Sequence, residues 1–142
     1  MSNRIAILAD NHPALLEGIR GLLGAMFDSV IMVSDEVSLM EALKRLEPDL
    51  VVVDYALRVA QEPNVIKQLR KFDSDLKIIA LSTNEEPELI QHCMLSGASG
   101  YVLKRSAAKD FVEAVDKVLR GSTFATSQLT LPKLTLKKGE NP

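Results

Sequence analysis

Polar side chains stand directly after four of the apolar runs in this sequence, and their types suit cation and phosphoryl binding. The residues at these positions are Asp10, Asn11, Asp54, Ser82 and Lys104. Carboxylate and amide oxygens are ligands for a hard divalent cation such as Mg²⁺. A carboxylate beside such a cation is also a competent nucleophile toward a phosphoryl group, whose oxygens a lysine and a hydroxyl can hold. If the fold brings these residues together, they indicate phosphoryl transfer to Asp54.

Short apolar runs alternate with segments of helical spacing, and this alternation indicates the fold. The runs span residues 5–9, 30–33, 50–53, 77–81 and 101–103. Between them, apolar residues recur three and four positions apart, as on one face of a helix. The pattern predicts a three-layer α/β sandwich with a parallel sheet, because each parallel crossover needs a covering helix. Ligands of such sheets collect at the carboxyl ends of the strands, so the polar residues should share one edge.

Proline and glycine residues stand at the predicted ends of the helical segments. Pro13, Pro63 and Pro87 stand where helices would begin. Gly24 and Gly97 follow helical patterns, as C-terminal caps would. The positions of these prolines and glycines therefore favour the same division into strands and helices.

Size and composition are typical of a single ordinary domain. A chain of 142 residues, 46% of them apolar, can bury one core but is too short for two ordinary domains. The net charge of −2 creates no general attraction to nucleic acid or to an acidic membrane. The single cysteine, Cys93, cannot form an internal disulfide, and the N-terminal apolar run is too short for a signal peptide or a membrane span. We therefore expect a cytoplasmic protein without membrane contact.

Other phosphate and metal chemistries find less support in the sequence. Gly18, Gly21 and Gly24 lie within a helical pattern, away from a strand-to-helix turn, so they are not a dinucleotide fingerprint. There is no GxxxxGK[ST] loop, no nucleophile elbow of a small α/β hydrolase, and no hydroxyl-rich turn for a flavin phosphate. His12 and His92 have no ligand-like partners in spacing, so we expect capping or surface roles for them.

Four motifs, taken together and in order, carry a resemblance to a known family. DNHP, VVVD, ALST and GASGYVLK resemble a response-regulator receiver domain over residues 4 to about 121. The phrases DNHPALLEGIRGLL and SGASGYVLK are most similar to receivers of NarL/LuxR-type transcriptional regulators. The resemblance implies a flavodoxin-like (CheY-like) fold with five parallel strands in the order 2-1-3-4-5. It also implies a need for Mg²⁺ and a partner that donates the phosphoryl group, either a sensor histidine kinase or a phosphotransfer protein.

By position, the resemblance assigns roles to the residues of the predicted site. Asp54 would be the phosphoacceptor, and Lys104 the cation that holds the transferred group. The metal ligands would be Asp10, Asn11, Asp54 and the backbone carbonyl of Ala56. The resulting role is regulatory rather than enzymatic, with at most self-catalysed phosphoryl transfer and hydrolysis of the aspartyl phosphate.

The resemblance also implies a path for the signal. Ser82 would follow the phosphoryl group, and Tyr101 matches an aromatic residue whose rotamer reports the state of the face formed by helix four, strand five and helix five. A core aromatic with a wet hydroxyl is an equally good interpretation of Tyr101. The same face carries mixed apolar and charged residues, and it is a candidate surface for a homodimer.

Three positions depart from the family pattern. Asn11 stands where a second aspartate is usual, so the site lacks a negative charge and should bind Mg²⁺ more weakly. Arg58 and Glu62 replace a usual proline and glycine after the acceptor. Arg58 could pair with Asp54 or Asp10, or it could be solvated. These departures motivate an alternative hypothesis, a pseudo-receiver that acts as a dimerisation or protein-binding module without phosphorylation.

The end of the chain differs in composition from the rest. Residues 122–142 are rich in Ser, Thr and Lys with little periodicity, which predicts a linker or C-terminal tail after a receiver at 1–121. A helix-turn-helix domain needs several tens more residues than remain. We therefore expect no nucleic acid contact from this chain. Either it is a receiver cut from a longer regulator, which would control transcription through an output domain outside this chain, or it is a receiver that acts alone or through a partner.

Overall fold

The computed structural model describes residues 3–10, 12–57 and 64–126, which form one parallel sheet covered by helices. The strands are β1 (Ile5–Ala9), β2 (Ser29–Val33), β3 (Leu50–Asp54), β4 (Ile78–Ser82), β5 (Gly100–Leu103) and β6 (Phe124–Ala125). The helices are α1 (Pro13–Gly24), α2 (Glu36–Leu46), α3 (Val65–Phe72), α4 (Pro87–Leu95) and α5 (Ala107–Leu119), and a 3-10 turn at Lys104–Ser106 precedes α5.

The strand order explains why the central runs are apolar without interruption. The sheet has the order β2-β1-β3-β4-β5-β6, and all its pairs are parallel. Every residue of β3 and β4 is buried, because both faces of a central parallel strand are covered by helices. The edge strand β2 is only partly buried. The predicted order 2-1-3-4-5 is confirmed, with one additional strand at the β5 edge.

Two apolar cores lie on opposite faces of the sheet. Ile7 packs in the core beneath α2, α3 and α4, whereas its neighbour Leu8 packs in the core beneath α1 and α5. Successive side chains of a strand point to opposite faces, so β1 contributes to both cores. The predicted three-layer sandwich is confirmed. Among the described residues, no helix is long and apolar enough to cross a membrane.

The helix ends agree only in part with the proline and glycine pattern. Pro13 and Pro87 are the first residues of α1 and α4, whereas Pro63 lies outside the described residues. Gly97 follows α4 with φ +119°, a left-handed conformation that favours glycine. The prediction that Gly24 caps α1 was wrong. It is the last helical residue, and α1 ends through Ala25 in an ordinary right-handed turn.

A short sixth strand extends the sheet beyond residue 121. Phe124 and Ala125 pair with Gly100 and Tyr101 of β5. Thr126 is buried, and its hydroxyl accepts a hydrogen bond from the Leu103 N–H at 2.9 Å. The first residues of the predicted tail therefore belong to the sheet, while residues 127–142 of that tail lie outside the described residues.

Cys93 occupies the core beneath α4, as expected for a small buried side chain. Burial raises the pKa of its thiol to about 12, and a hydrogen bond with Tyr55 opposes this shift only in part. The thiol therefore stays protonated at neutral pH, which makes it a poor nucleophile and a poor metal ligand.

Gly97 should tolerate a side chain less well than Gly24. A Cβ added at Gly97 would lie 2.8 Å from Cγ of Arg70, in addition to the backbone strain of its positive φ. We expect Gly97→Ala to lower the free energy of unfolding by about 2 kcal/mol. A Cβ at Gly24 meets nothing within 4 Å, so Gly24→Ala should leave stability unchanged or raise it by up to about 1 kcal/mol. Urea denaturation of both variants measures the difference, and equal losses would contradict this account.

The hydroxyl of Thr126 should protect the amide of Leu103. Thr126→Val removes the acceptor and leaves a buried N–H without a partner, which should cost about 1–3 kcal/mol and speed hydrogen exchange at Leu103. Thr126→Ser is the matched control, because it keeps the hydroxyl. Amide exchange followed by NMR measures the effect. The assignment fails if Leu103 is as protected in the valine variant as in the serine variant.

Candidate functional site

Four strands bring the predicted site residues to one edge of the sheet. Asp10 follows β1, Asp54 ends β3, Ser82 ends β4 and Lys104 follows β5. The direction of winding reverses between β1 and β3, because the chain passes from β1 to β2 on one side and then crosses to β3 on the other. Crevices at such switch points are where open parallel sheets bind ligands.

Lys104 links the two carboxylates of the crevice. Its Nζ lies 3.0 Å from Asp54 Oδ2 and 3.1 Å from Asp10 Oδ2. The exposed fraction of the side chain is 10% for Lys104, 11% for Asp54 and 0% for Asp10. Two carboxylates this well buried need a cation, because an unpaired buried charge is strongly destabilising. The ammonium of Lys104 explains how β3 can end on an acid.

His12 belongs to the same group, which spacing alone did not predict. Its Nδ1 lies 2.8 Å from Asp10 Oδ1, 2.9 Å from Lys104 Nζ and 3.9 Å from Asp54 Oδ2. His12 occupies the N-cap position of α1, but its side chain makes no capping hydrogen bond. The view that His12 lacks ligand-like partners was therefore wrong. An acid two residues before a histidine, at the end of a strand, was the signal that could have revealed the pair.

The crevice has the donor set of a cation site. Asp10, His12 and Asp54 each offer a ligand atom, and these atoms lie within 4.8 Å of one another. Asp10 Oδ2 is buried and accepts no hydrogen bond from the described residues, although Lys104 lies nearby. An oxygen in this condition gains from a cation. The residues therefore fit a metal ion.

The remaining predicted ligands are less well defined. Ala56 is exposed and its N–H donates to Asp54 Oδ1 at 2.9 Å, while ligation through its carbonyl stays a prediction. Asn11, Arg58 and Glu62 lie outside the described residues. In the part of the chain that the structure describes, the cation paired with both acids is Lys104.

Ser82 and Tyr101 each form a hydrogen bond with the backbone of Asn84, whereas no hydrogen bond joins either of them to Asp10 or Asp54 among the described residues. The Asn84 N–H donates to Ser82 Oγ at 3.0 Å, and the Tyr101 hydroxyl donates to the Asn84 carbonyl at 2.5 Å. The Tyr101 ring is fully buried and packs edge-on against Tyr55. Burial raises the pKa of Tyr101, and the nearby Ser82 hydroxyl lowers it in part. Tyr101 therefore faces inward, with its hydroxyl bonded to protein.

An ion pair ties the loop after β4 to the turn after β5. Arg105 donates to Glu85 at 2.5 Å, and both side chains are about half exposed. This contact lowers the pKa of Glu85 and raises that of Arg105. Exposed pairs add little stability, so its consequence is geometric: it holds the loop containing Asn84 beside the residue that follows Lys104.

Removing the ammonium of Lys104 should destabilise the fold and create a dependence on divalent cations. Lys104→Met leaves Asp10 and Asp54 without their shared cation, which should lower the free energy of unfolding by about 3 kcal/mol. Added Mg²⁺ should restore part of this loss, because it can take the place of the ammonium. Lys109→Met, at an exposed position of α5, is the matched control. Urea denaturation with EDTA and with Mg²⁺ measures both effects, and a loss no larger than that of the control would contradict the assignment.

Comparison with solved structures finds the same fold in receiver domains of response regulators. The RcsB response regulator of Salmonella typhimurium has a TM-score of 0.80 at 25% identity, with 91% of this chain and 64% of that chain covered. The non-phosphorylated receiver domain of Escherichia coli RcsB has a TM-score of 0.78 at 25% identity, with 89% of this chain and 100% of that chain covered.

Sequence comparison leads to the same group of proteins. The transcriptional regulatory protein DegU of Brevibacillus brevis is 27% identical over 131 residues, which cover 90% of this chain and 56% of DegU. LnrK of Bacillus subtilis is 29% identical over 136 residues, which cover 94% of this chain and 62% of LnrK. The chain thus spans somewhat over half the length of these relatives. DegU and RcsB are regulators of the NarL/LuxR family. The response regulator receiver domain profile matches residues 6–116, and the chain belongs to that family.

Proposed function

We propose that this chain is a two-component receiver that accepts a phosphoryl group on Asp54. The observation that carries the proposal is the position of Asp54 Oδ2, 3.0 Å from Lys104 Nζ at the mouth of the crevice. The other oxygen, Oδ1, is fixed by the N–H of Ala56 at 2.9 Å. One oxygen is therefore held by the backbone, and the other faces the ammonium of Lys104 and would be the attacking atom.

The transfer itself requires little covalent chemistry from the protein. Oδ2 of Asp54 would attack the phosphorus of a phosphohistidine whose other ring nitrogen carries a proton. A P–O bond forms, the P–N bond breaks with its electron pair going to nitrogen, and a neutral imidazole leaves that keeps this proton. Lys104 then binds an oxygen of the new aspartyl phosphate. Mg²⁺, held by Asp10, Asp54 and the expected ligands Asn11 and the Ala56 carbonyl, supplies neutralisation of the phosphoryl charge when bound.

The contacts of Asn84 support a route for the signal. If the Ser82 hydroxyl turns to a phosphoryl oxygen, the Asn84 N–H loses its acceptor, and the loop that also holds the Tyr101 hydroxyl is released. Tyr101 is then free to change rotamer within the face of α4, β5 and α5. Phosphorylation would act by shifting the balance between two pre-existing arrangements of this loop.

The partners follow from the same chemistry. The phosphoryl donor would be a sensor histidine kinase or a phosphotransfer protein in the cytoplasm. The relatives DegU and LnrK are transcriptional regulatory proteins of which this chain covers only part, so the output would be control of transcription through a domain outside these 142 residues. A homodimer through α4, β5 and α5 belongs to the same proposal.

A pseudo-receiver is the second candidate, and a specific observation favours it. Both oxygens of Asp54 already have hydrogen-bond donors, Ala56 N–H and Lys104, so this carboxylate is satisfied without a phosphoryl group. A chain of this kind would act by binding a partner or a second copy. Phosphorylation chemistry distinguishes the two candidates directly.

Incubation of the full chain with acetyl phosphate should add one phosphoryl group at Asp54. The gain should require Mg²⁺ and should be absent from Asp54→Asn, because an amide cannot act as the nucleophile. Asp116→Asn, at an exposed position of α5, is the matched control and should be modified like the native chain. Intact mass spectrometry measures the gain. No gain in the native chain, under conditions that modify another receiver, would favour the pseudo-receiver.

A further inference from the structure

We propose that His12 is a metal ligand, and that it makes this site prefer a first-row transition-metal ion such as Zn²⁺ over Mg²⁺. The other ligands would be Asp10 and Asp54, so the inference concerns the same crevice as the proposed function and rests on its identification as a cation site. It adds a nitrogen ligand and a different class of metal.

The spacing of the three ligand atoms suits a small divalent ion. His12 Nδ1 lies 2.8 Å from an oxygen of Asp10 and 3.9 Å from an oxygen of Asp54. Ligands about 2.1 Å from a common ion are separated by roughly 3.0–3.4 Å when they are neighbours in octahedral or tetrahedral coordination. The two separations from His12 bracket this range, and all three ligand atoms lie within 4.8 Å of one another. Small side-chain rotations would therefore suffice to form a common coordination shell.

The proton of His12 cannot satisfy both of its neighbours. If Nδ1 carries a proton, it can donate to Asp10, but it then faces the ammonium of Lys104 at 2.9 Å, donor against donor. If Nδ1 carries no proton, it accepts from Lys104 but faces Asp10 Oδ1 at 2.8 Å, acceptor against acceptor. A divalent ion resolves the conflict, because it accepts lone pairs from the imidazole and the carboxylates together.

Two further observations point to a cation at this position. Asp10 Oδ2 is fully buried in the crevice, where it accepts no hydrogen bond from the described residues and lies in an ion pair with Lys104 Nζ at 3.1 Å. Lys104 Nζ lies within 3.1 Å of all three proposed ligand residues, so the ammonium marks where positive charge is favoured. The metal would take the place of the ammonium, and the long lysine side chain can withdraw toward the phosphoryl site.

The ligand types set the preference for a transition metal. Mg²⁺ binds oxygen ligands and gains most from their negative charge, and a neutral imidazole supplies neither. An imidazole nitrogen instead favours the ions toward the Zn²⁺ end of the first transition row. The His12 side chain is 59% exposed, so an ion can reach its ring from solvent.

The chain has only two other cysteine or histidine candidates for binding Zn²⁺, Cys93 and His92. The only cysteine, Cys93, is buried, and its pKa is raised to about 12. The only other histidine, His92, lies on α4, with its Nε2 3.4 Å from the side-chain amide of Asn64. Two imidazoles in the whole chain also make a nitrogen NMR spectrum simple to assign.

The test is a Zn²⁺ titration of the full chain, followed by long-range ¹H–¹⁵N NMR of the two imidazoles and by calorimetry. We expect one equivalent of Zn²⁺ to shift the His12 nitrogen resonances and to leave those of His92 unchanged. The native chain should bind Zn²⁺ at least about tenfold more tightly than Mg²⁺. His12→Gln should weaken Zn²⁺ binding by about tenfold or more and Mg²⁺ binding by less than about twofold.

His92→Gln is the matched control and should bind both ions like the native chain. The inference is overturned if His12 does not respond at saturating Zn²⁺, if His92 responds instead, or if His12→Gln weakens both ions equally. Phosphorylation of the native chain in Mg²⁺, measured separately, keeps the two ideas distinct. Zn²⁺ ligation by His12 without phosphorylation of Asp54 would contradict the proposed function and support this inference. Phosphorylation of Asp54 without ligation by His12 would support the proposed function and contradict this inference.

Discussion

The charge balance among Asp10, Asp54 and Lys104 is the interaction on which the rest of the site depends. The carboxylates follow neighbouring strands β1 and β3, whereas the lysine follows β5. Because β4 lies between β3 and β5, Lys104 starts about two strand spacings, roughly 10 Å, from β3, and it starts one spacing farther from β1. Only a long side chain at the end of β5 can neutralise acids in the middle of the sheet. The strand order therefore determines which side chain can neutralise the two carboxylates of the crevice.

Burial of the parallel strands explains why much of the fold could be predicted from the sequence. Parallel strands buried on both faces appear as unbroken apolar runs, and all five predicted runs are strands. The errors lie at their ends: β2 begins at Ser29 and β5 at Gly100, β3 includes Asp54, and β4 spans Ile78–Ser82 rather than 77–81. Backbone pairing continues for a residue beyond the apolar pattern, because hydrogen bonds of a ladder do not depend on side-chain polarity.

What the sequence could not predict depends on backbone pairing or on contacts across the fold. Strand β6 has only two residues, too few for a pattern, and it forms because β5 offers a free edge. The proximity of His12 to the carboxylates depends on how α1 starts, which no spacing rule gives. Ser82 and Tyr101 are linked through the backbone N–H and carbonyl of Asn84. Every residue type except proline has both groups, so the sequence gives no sign of this link.

The sixth strand has a consequence for the crevice as well as for the sheet. The Leu103 N–H, one residue before Lys104, is held by the Thr126 hydroxyl, and Thr126 N–H in turn donates to the Tyr101 carbonyl at 3.0 Å. The backbone that carries both the cation of the crevice and the aromatic residue of the α4, β5 and α5 face is thus bonded to Thr126, next to β6. Any movement of the β5 backbone at Leu103 therefore requires these hydrogen bonds to move with it or to break, and each broken bond would leave a buried backbone group without a partner. The edge strand thereby helps to fix the position from which Lys104 reaches the two carboxylates.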